Sequence, residues 1–229
     1  MPSAVRKEPG DMPHVRPLLD NALAEVEEQT LAELDLVRGS LRRAVEAALA
    51  GDPAIADEVK ARGSEFDRRY DEVHDRLMAL IARQAPVAGD LRLTMALLHT
   101  NDRIERMGAQ CLNIATLCCA LPAGGGPAPE QLDCLSAMAR LADEQVAEAA
   151  RVFADRDVEG ARRLREHDAR INEGNRRCFA LGITDGDDEA RREAAFFVAL
   201  MARAIERIAD NAVDIGKQAA FVVTGRLRS

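Results

Sequence analysis

The sequence predicts an all-α protein made of two tandem, pseudo-symmetric three-helix bundles, six helices in all. Three observations carry this reading. Apolar residues recur at helical three-and-four spacing along most of the chain; a Gly/Pro run divides it near its middle; and the closing helix of each half holds the same triplet, Ile104-Glu105-Arg106 and Ile205-Glu206-Arg207. Composition agrees. Of 229 residues 47% are hydrophobic yet only 3% aromatic, with no Trp, which suits close packing of Ala- and Leu-rich helices better than a β-sandwich.

The elements follow in order. Residues 1–17, with prolines and charges, read as an irregular segment, and they lack the apolar run and small-residue cleavage site of a secretory signal. The first bundle is expected over 18–121. Helix one covers Leu18 to Leu49 and stops at Gly51-Asp52-Pro53, which supplies a terminator, an N-cap and an N1 proline. Helix two then runs through Phe66, Tyr70, Val73, Leu77 and Ile81 until Pro86 breaks it. Helix three begins near Asp90 and continues to Leu121, and 122–129 is a Gly/Pro linker.

The second bundle is expected over 130–225. Its first helix spans Glu130 to Ala154. A break with an N-cap at Asp155 or Asp157 leads to a helix ending near Leu181, and Gly182 to Asp188 forms a loop. The longest helix runs from Glu189 to Val223 and ends at a C′ glycine, Gly225, before a tail at 226–229. When Ile104 is laid on Ile205, the apolar or small residues at 104, 107, 111, 114, 118 and 121 fall on 205, 208, 212, 215, 219 and 222. Both series step alternately by three and four, the pattern of a buried bundle seam, and support a duplication.

A formal charge of −8 argues against nucleic-acid binding, which needs a basic surface. The longest stretch free of Asp, Glu, Lys and Arg, Met107 to Pro129, has an apolar part too short to span a bilayer. A cytoplasmic protein is expected. The five cysteines, Cys111, Cys118, Cys119, Cys134 and Cys178, include no CxxC pair and read as small buried hydrophobes rather than disulfides or a zinc knuckle.

Candidate chemistry rests on carboxylates. Glu206, Asp210 and Asp214 follow at i, i+4 and i+8, so they share one helix face and repel unless water, a cation, or Arg203 and Arg207 offset them. Asp67, Asp71 and Asp75 repeat that spacing in helix two, and Glu166, His167 and Asp168 lie in helix five. Oxygen ligands of this kind suit Mg, Mn, Ca or a carboxylate-bridged iron cluster. There is no Glu-x-x-His, nucleophile elbow or P-loop, so an enzyme is not expected. His99, alone on an apolar helical face, reads as a core or seam residue.

The run from Ala204 to Gly216 (AIERIADNAVDIG), followed by Phe221-Val-Val-Thr-Gly225, resembles the closing helix of the PhoU family of phosphate-signalling regulators. Arg83-Gln-Ala-Pro-Val-Ala-Gly-Asp-Leu-Arg92 resembles that family's loop into its third helix, and Ile104 to Gly108 its first-repeat signature. The resemblance spans about residues 14 to 226. It implies a cytosolic negative regulator of phosphate uptake and of phosphate-starvation signalling. Such a regulator binds components of the Pst phosphate transporter and a PhoR-type sensor histidine kinase, meets the membrane only through these partners, and forms a homodimer. An uncharged surface strip among acidic helices would be its interface.

The family's Glu/Asp-x-x-x-Asp motifs also imply metal ions, iron, zinc, Mg or Mn. The match here is partial. Glu206 and Asp210 keep the motif; Asp168 is followed by Asn172; Glu105 is followed by Ala109; and Asp67 is preceded by Gly63. Glu206, Asp210, Asp168, Glu105 and Asp67 are therefore the implied metal ligands, with the second bundle the better preserved. Two other readings stand beside the regulator: a metal-free helical adaptor, and a carboxylate-metal enzyme in a helical bundle.

Overall fold

The computed structural model describes residues 17–122, 126–183 and 188–226, and all its regular elements are helices. They are α1 (Pro17–Ala50), α2 (Pro53–Lys60), α3 (Gly63–Gln84), α4 (Ala88–Cys119), α5 (Pro129–Asp155), α6 (Val158–Ile183) and α7 (Glu189–Thr224). The irregular segment expected before Pro17, most of the loop expected after Gly182, residues 123–125 of the linker and residues 227–229 of the tail lie outside the described residues.

Most helix ends sit where local chemistry puts them. The Asp52 carboxylate accepts from Ala54 N at 2.9 Å and Pro53 opens α2. Of the two caps expected before α6, Asp157 serves, accepting from Gly160 N at 2.8 Å. Asp188 caps α7 through Ala190 N, and Gly225, at φ 70°, closes it with a bond from its N–H to Phe221 O.

The expected second helix comes in two pieces. Its hydrogen-bond ladder breaks at Ala61–Arg62, between α2 and α3, where Arg62 donates to Ser40 Oγ at 3.3 Å. No proline or side-chain cap marks this break; Gly63, a poor helix former, is the only local sign. His99, expected in the core or a seam, is exposed instead, because α4 turns Leu97, Thr100, Asn101 and Ile104 inward.

In each half three helical arms pack antiparallel around their own seam. Ile104, Met107, Cys111, Ile114 and Cys118 are buried, and so are Ile205, Ile208, Ala212, Ile215 and Ala219; the outermost pair, Leu121 and Val222, is half-buried. The two halves meet along α4 and α7, in an extensive helix–helix contact, and again along α1 and α5. Buried residues of both halves form one continuous core. Four of the cysteines are in it, whereas Cys119 is exposed beside Lys60 Nζ, so the expectation of burial fails there.

Candidate carboxylate site on the second bundle

The α6–α7 contact decides the fate of the acidic stripe. The stripe does not simply face water. Glu206 is buried, and its carboxylate accepts from Asn175 Nδ2 on α6 at 2.6 Å and from the Arg203 guanidinium one turn back on α7. Asp214 pairs with Lys217 at 2.6 Å and with Arg103 of α4 at 3.4 Å. Asp210 lies between them and is exposed; its carboxyl is raised above the ordinary carboxylate range, first by partial desolvation against α6 and then by the negative charges of Asp168 and Glu206.

Asp168 reaches the same patch from α6. It accepts from Asn172 Nδ2 at 2.8 Å and lies 3.5 Å from Gln145 Nε2 of α5, whose main bond is to Ala209 O on α7 at 3.0 Å. Gln145 Oε1 is buried with no partner among the described residues. Asp168, Glu206 and Asp210 thus act on one another from two helices, held by amides of Asn172, Asn175 and Gln145. The amides gave no sequence signal of their own, because their role depends on which face α6 presents to α7.

In the first bundle the corresponding place is built differently. Glu105 is half-buried on α4, Asp67 is exposed on α3, and Gly63 and Ala109 stand where their acidic companions would be. Tyr70 follows Asp67 by three residues, as Asn175 follows Asn172. Its hydroxyl donates to Asp102 at 3.2 Å, and the buried Asn101 amide donates to Tyr70 O at 3.0 Å. Tyr70 also stacks on His74 at 5.7 Å.

A metal needs several oxygen ligands free to turn toward it. The first bundle does not fit, since only Glu105 and Asp67 remain of four positions. The second has the donor chemistry in Asp168, Glu206 and Asp210, but Arg203 occupies Glu206. Among the described residues no group of three or more His, Cys, Asp or Glu side chains is gathered to hold a metal ion.

On the outer face of α6 and α7 an apolar groove of about 390 Å³ is lined by Phe179, Phe196, Ala199 and Leu200, with Asn175, Arg176 and Arg203 beside them. Both Phe rings are more than half exposed. Among the described residues no helix is long and apolar enough to cross a membrane.

The repeated architecture has a counterpart among known families. The model described as "PhoU domain" matches the chain twice, over residues 31–118 and 135–219, one copy in each bundle. The chain belongs to the PhoU family. It is 30% identical over 203 residues to the phosphate-specific transport system accessory protein PhoU homolog 1 of Mycobacterium leprae, covering 89% of this chain and 91% of that protein. The fold also superimposes on the crystal structure of the phosphate transport system regulatory protein PhoU from Streptococcus pneumoniae, with a TM-score of 0.84 at 21% identity, covering 92% of this chain and 99% of the other. PhoU from Pseudomonas aeruginosa gives a TM-score of 0.82 at 22% identity over 91% and 100% of the two chains. Glu105 and Glu206, the centres of the two sites, both fall within the matched PhoU domains.

Proposed function

We infer that this PhoU-family protein is an accessory regulator of phosphate uptake that holds the phosphate-starvation response off when phosphate is plentiful. It acts in the cytoplasm, as a homodimer, by binding Pst transporter components and a PhoR-type sensor kinase. The double PhoU-domain match across both bundles is the observation that carries the reading, and the name of the Mycobacterium leprae relative supports the link to phosphate-specific transport. Deleting the gene is expected to switch phosphate-starvation genes on in phosphate-rich medium, and re-supplying the intact chain to silence them. Genes that stay silent after deletion would sink the regulatory reading. Affinity capture from phosphate-replete and phosphate-starved cells tests the partners: recovery of neither a transporter ATPase nor a histidine kinase overturns that part alone.

A second reading, favoured by the acidic patch that Asp168 of α6 forms with Glu206 and Asp210 of α7, is that these three carboxylates would hold a hard cation such as Mg or Mn, for which Arg203 would have to release Glu206. Addition of Mn or Mg to chelator-treated protein is then expected to raise its melting temperature, and Asp210→Asn to abolish the rise. Equal melting with and without Mg, Mn, iron or zinc would leave the adaptor without metal.

A further inference from the structure

Where the start of α6 meets the last turns of α7, four cations line one narrow notch. Arg162 and Arg165 come from α6, Lys217 from α7 and Arg226 from just beyond Gly225, over a floor of Ala161 and Ala220; among the described residues no carboxylate lines it. The chain as a whole carries a formal charge of −8. Like charges gathered in one place repel unless something of opposite sign offsets them, so this basic notch in an acidic protein needs a local cause.

Service to the fold does not supply that cause. A helix C-terminus attracts cations because its last carbonyls lack partners, but those of α7 are met by other donors. Thr224 Oγ1 donates to Ala220 O at 2.8 Å, Gly225 N to Phe221 O at 2.8 Å and Arg92 Nε to Val222 O at 3.2 Å. Nor do ion pairs consume the charges. Among the described residues Arg165 and Arg226 have no ion pair. Arg162 pairs only with the exposed Glu159, and Lys217 shares Asp214 with Arg103, so either is free to turn toward a ligand without stranding a buried carboxylate. The Asp157 carboxylate that caps the start of α6 does not neutralise the notch, because Arg151 and Arg163 hold it.

We propose that Arg165, Arg226 and Lys217, with Arg162 beside them, bind a tetrahedral oxyanion: the phosphoryl group of inorganic phosphate or of a phosphate monoester. Guanidinium and ammonium groups supply the charge-assisted donors that phosphate oxygens accept. The enclosed part of the notch, about 30 Å³, has room for about two water-sized atoms, so phosphate oxygens enter it while the organic part of an ester stays outside. Every polar side chain of the lining is a donor only. A proton on phosphate finds no acceptor there, and sulfate is therefore expected to compete.

The test uses the full chain in equilibrium dialysis against radiolabelled inorganic phosphate at constant ionic strength. One phosphate per chain is expected, displaced by sulfate and not by chloride. Arg165→Gln/Arg226→Gln should weaken binding by more than about tenfold, whereas Arg176→Gln, an exposed arginine of α6 paired with Glu173, should bind like the parent. Sedimentation with phosphatidylcholine vesicles, with and without phosphatidic acid, separates the sources: uptake that needs phosphatidic acid and is lost in the double variant, with no binding of free phosphate, assigns the site to a lipid monoester. In the unaltered protein the bound probe should shield Arg165 and Arg226 from phenylglyoxal, as read by mass spectrometry; this does not depend on whether the variants fold. The proposal is overturned if the parent binds neither probe, if Arg165→Gln/Arg226→Gln binds as the parent does, or if the probe shields other arginines instead.

Discussion

Glu33, on α1, is 2% exposed, and its Oε1 has no hydrogen-bond partner among the described residues. Burial pushes its carboxyl up to about 7; the charges of Arg69 and Arg68 oppose that rise and Glu72 adds to it. In the unfolded chain the same group titrates near 4.5. Between these values the folded state holds a proton that the unfolded state has released, so stability falls as pH rises through this window and the penalty is complete above about 7. Glu33→Gln removes the ionisation and is expected to stabilise the protein by about 2–3 kcal/mol at pH 8, with the gain vanishing toward pH 4. Thermal melts of both proteins across that range check it, and a gain that does not change with pH would rule it out. At this scale the sequence was only partly legible. The i, i+4 spacing of Glu206 and Asp210 placed them on one face, but the burial of Glu206 depends on Asn175, 31 residues away. Glu33 looked like one more acidic residue on α1, since only the packing of α3 against it makes it a buried charge.

Between elements, the closest approaches are made by small residues in the packed helix faces. A Cβ at Gly108 would stand 2.7 Å from the Phe66 ring, so α4 meets α3 at that point only because residue 108 has no side chain. Gly108→Ala gains up to about 1 kcal/mol of helix propensity but must displace a buried ring, at about 1–3 kcal/mol. A net loss of stability is therefore expected, and Phe66→Leu in the same chain should recover part of it. Urea melts of the single and double variants decide the point; a Gly108→Ala protein more stable than its parent would refute the close contact. The seams themselves were readable, because period alone separates the inner face of a helix from its outer one. The split between α2 and α3 was not, since Arg62 is set by its bond to Ser40 on a different helix. The same limit explains His99: a helical pattern marks an apolar stripe, but which flanking positions the neighbouring helices cover is a tertiary matter.

At the scale of the molecule, duplication could have produced two independently folding bundles, and the contacts between the halves argue for one unit. Arg38 of α1 makes two bonds to Asp143 of α5, at 3.0 and 3.2 Å. Arg156, at the α5–α6 turn, grips Glu27 of α1 at 2.6 and 2.7 Å while lying over the Phe153 ring. Arg92 of α4 donates to Val222 O in the last turn of α7, where an unpaired carbonyl and the helix dipole both favour a cation. With a continuous core behind them, these pairs predict that both bundles unfold in a single denaturant transition despite the Gly/Pro linker between them. Arg156→Ala tests the clamp. Residue 156 has a positive φ of 55°, and alanine carries much the same cost in that conformation, so the change in stability reports the lost guanidinium. Leaving the largely covered Glu27 carboxylate without its bidentate partner should cost about 1–3 kcal/mol. Adding Arg38→Ala, a pair sharing no residue with the first, should add its own loss nearly independently. Trp fluorescence cannot follow the unfolding because the chain has no Trp, and its single Tyr lies in the first bundle, so circular dichroism and hydrogen exchange are the probes. Two separate transitions in the parent would show that the bundles fold independently despite these contacts, and an Arg156→Ala protein as stable as the parent would show that the Arg156–Glu27 pair does not clamp them.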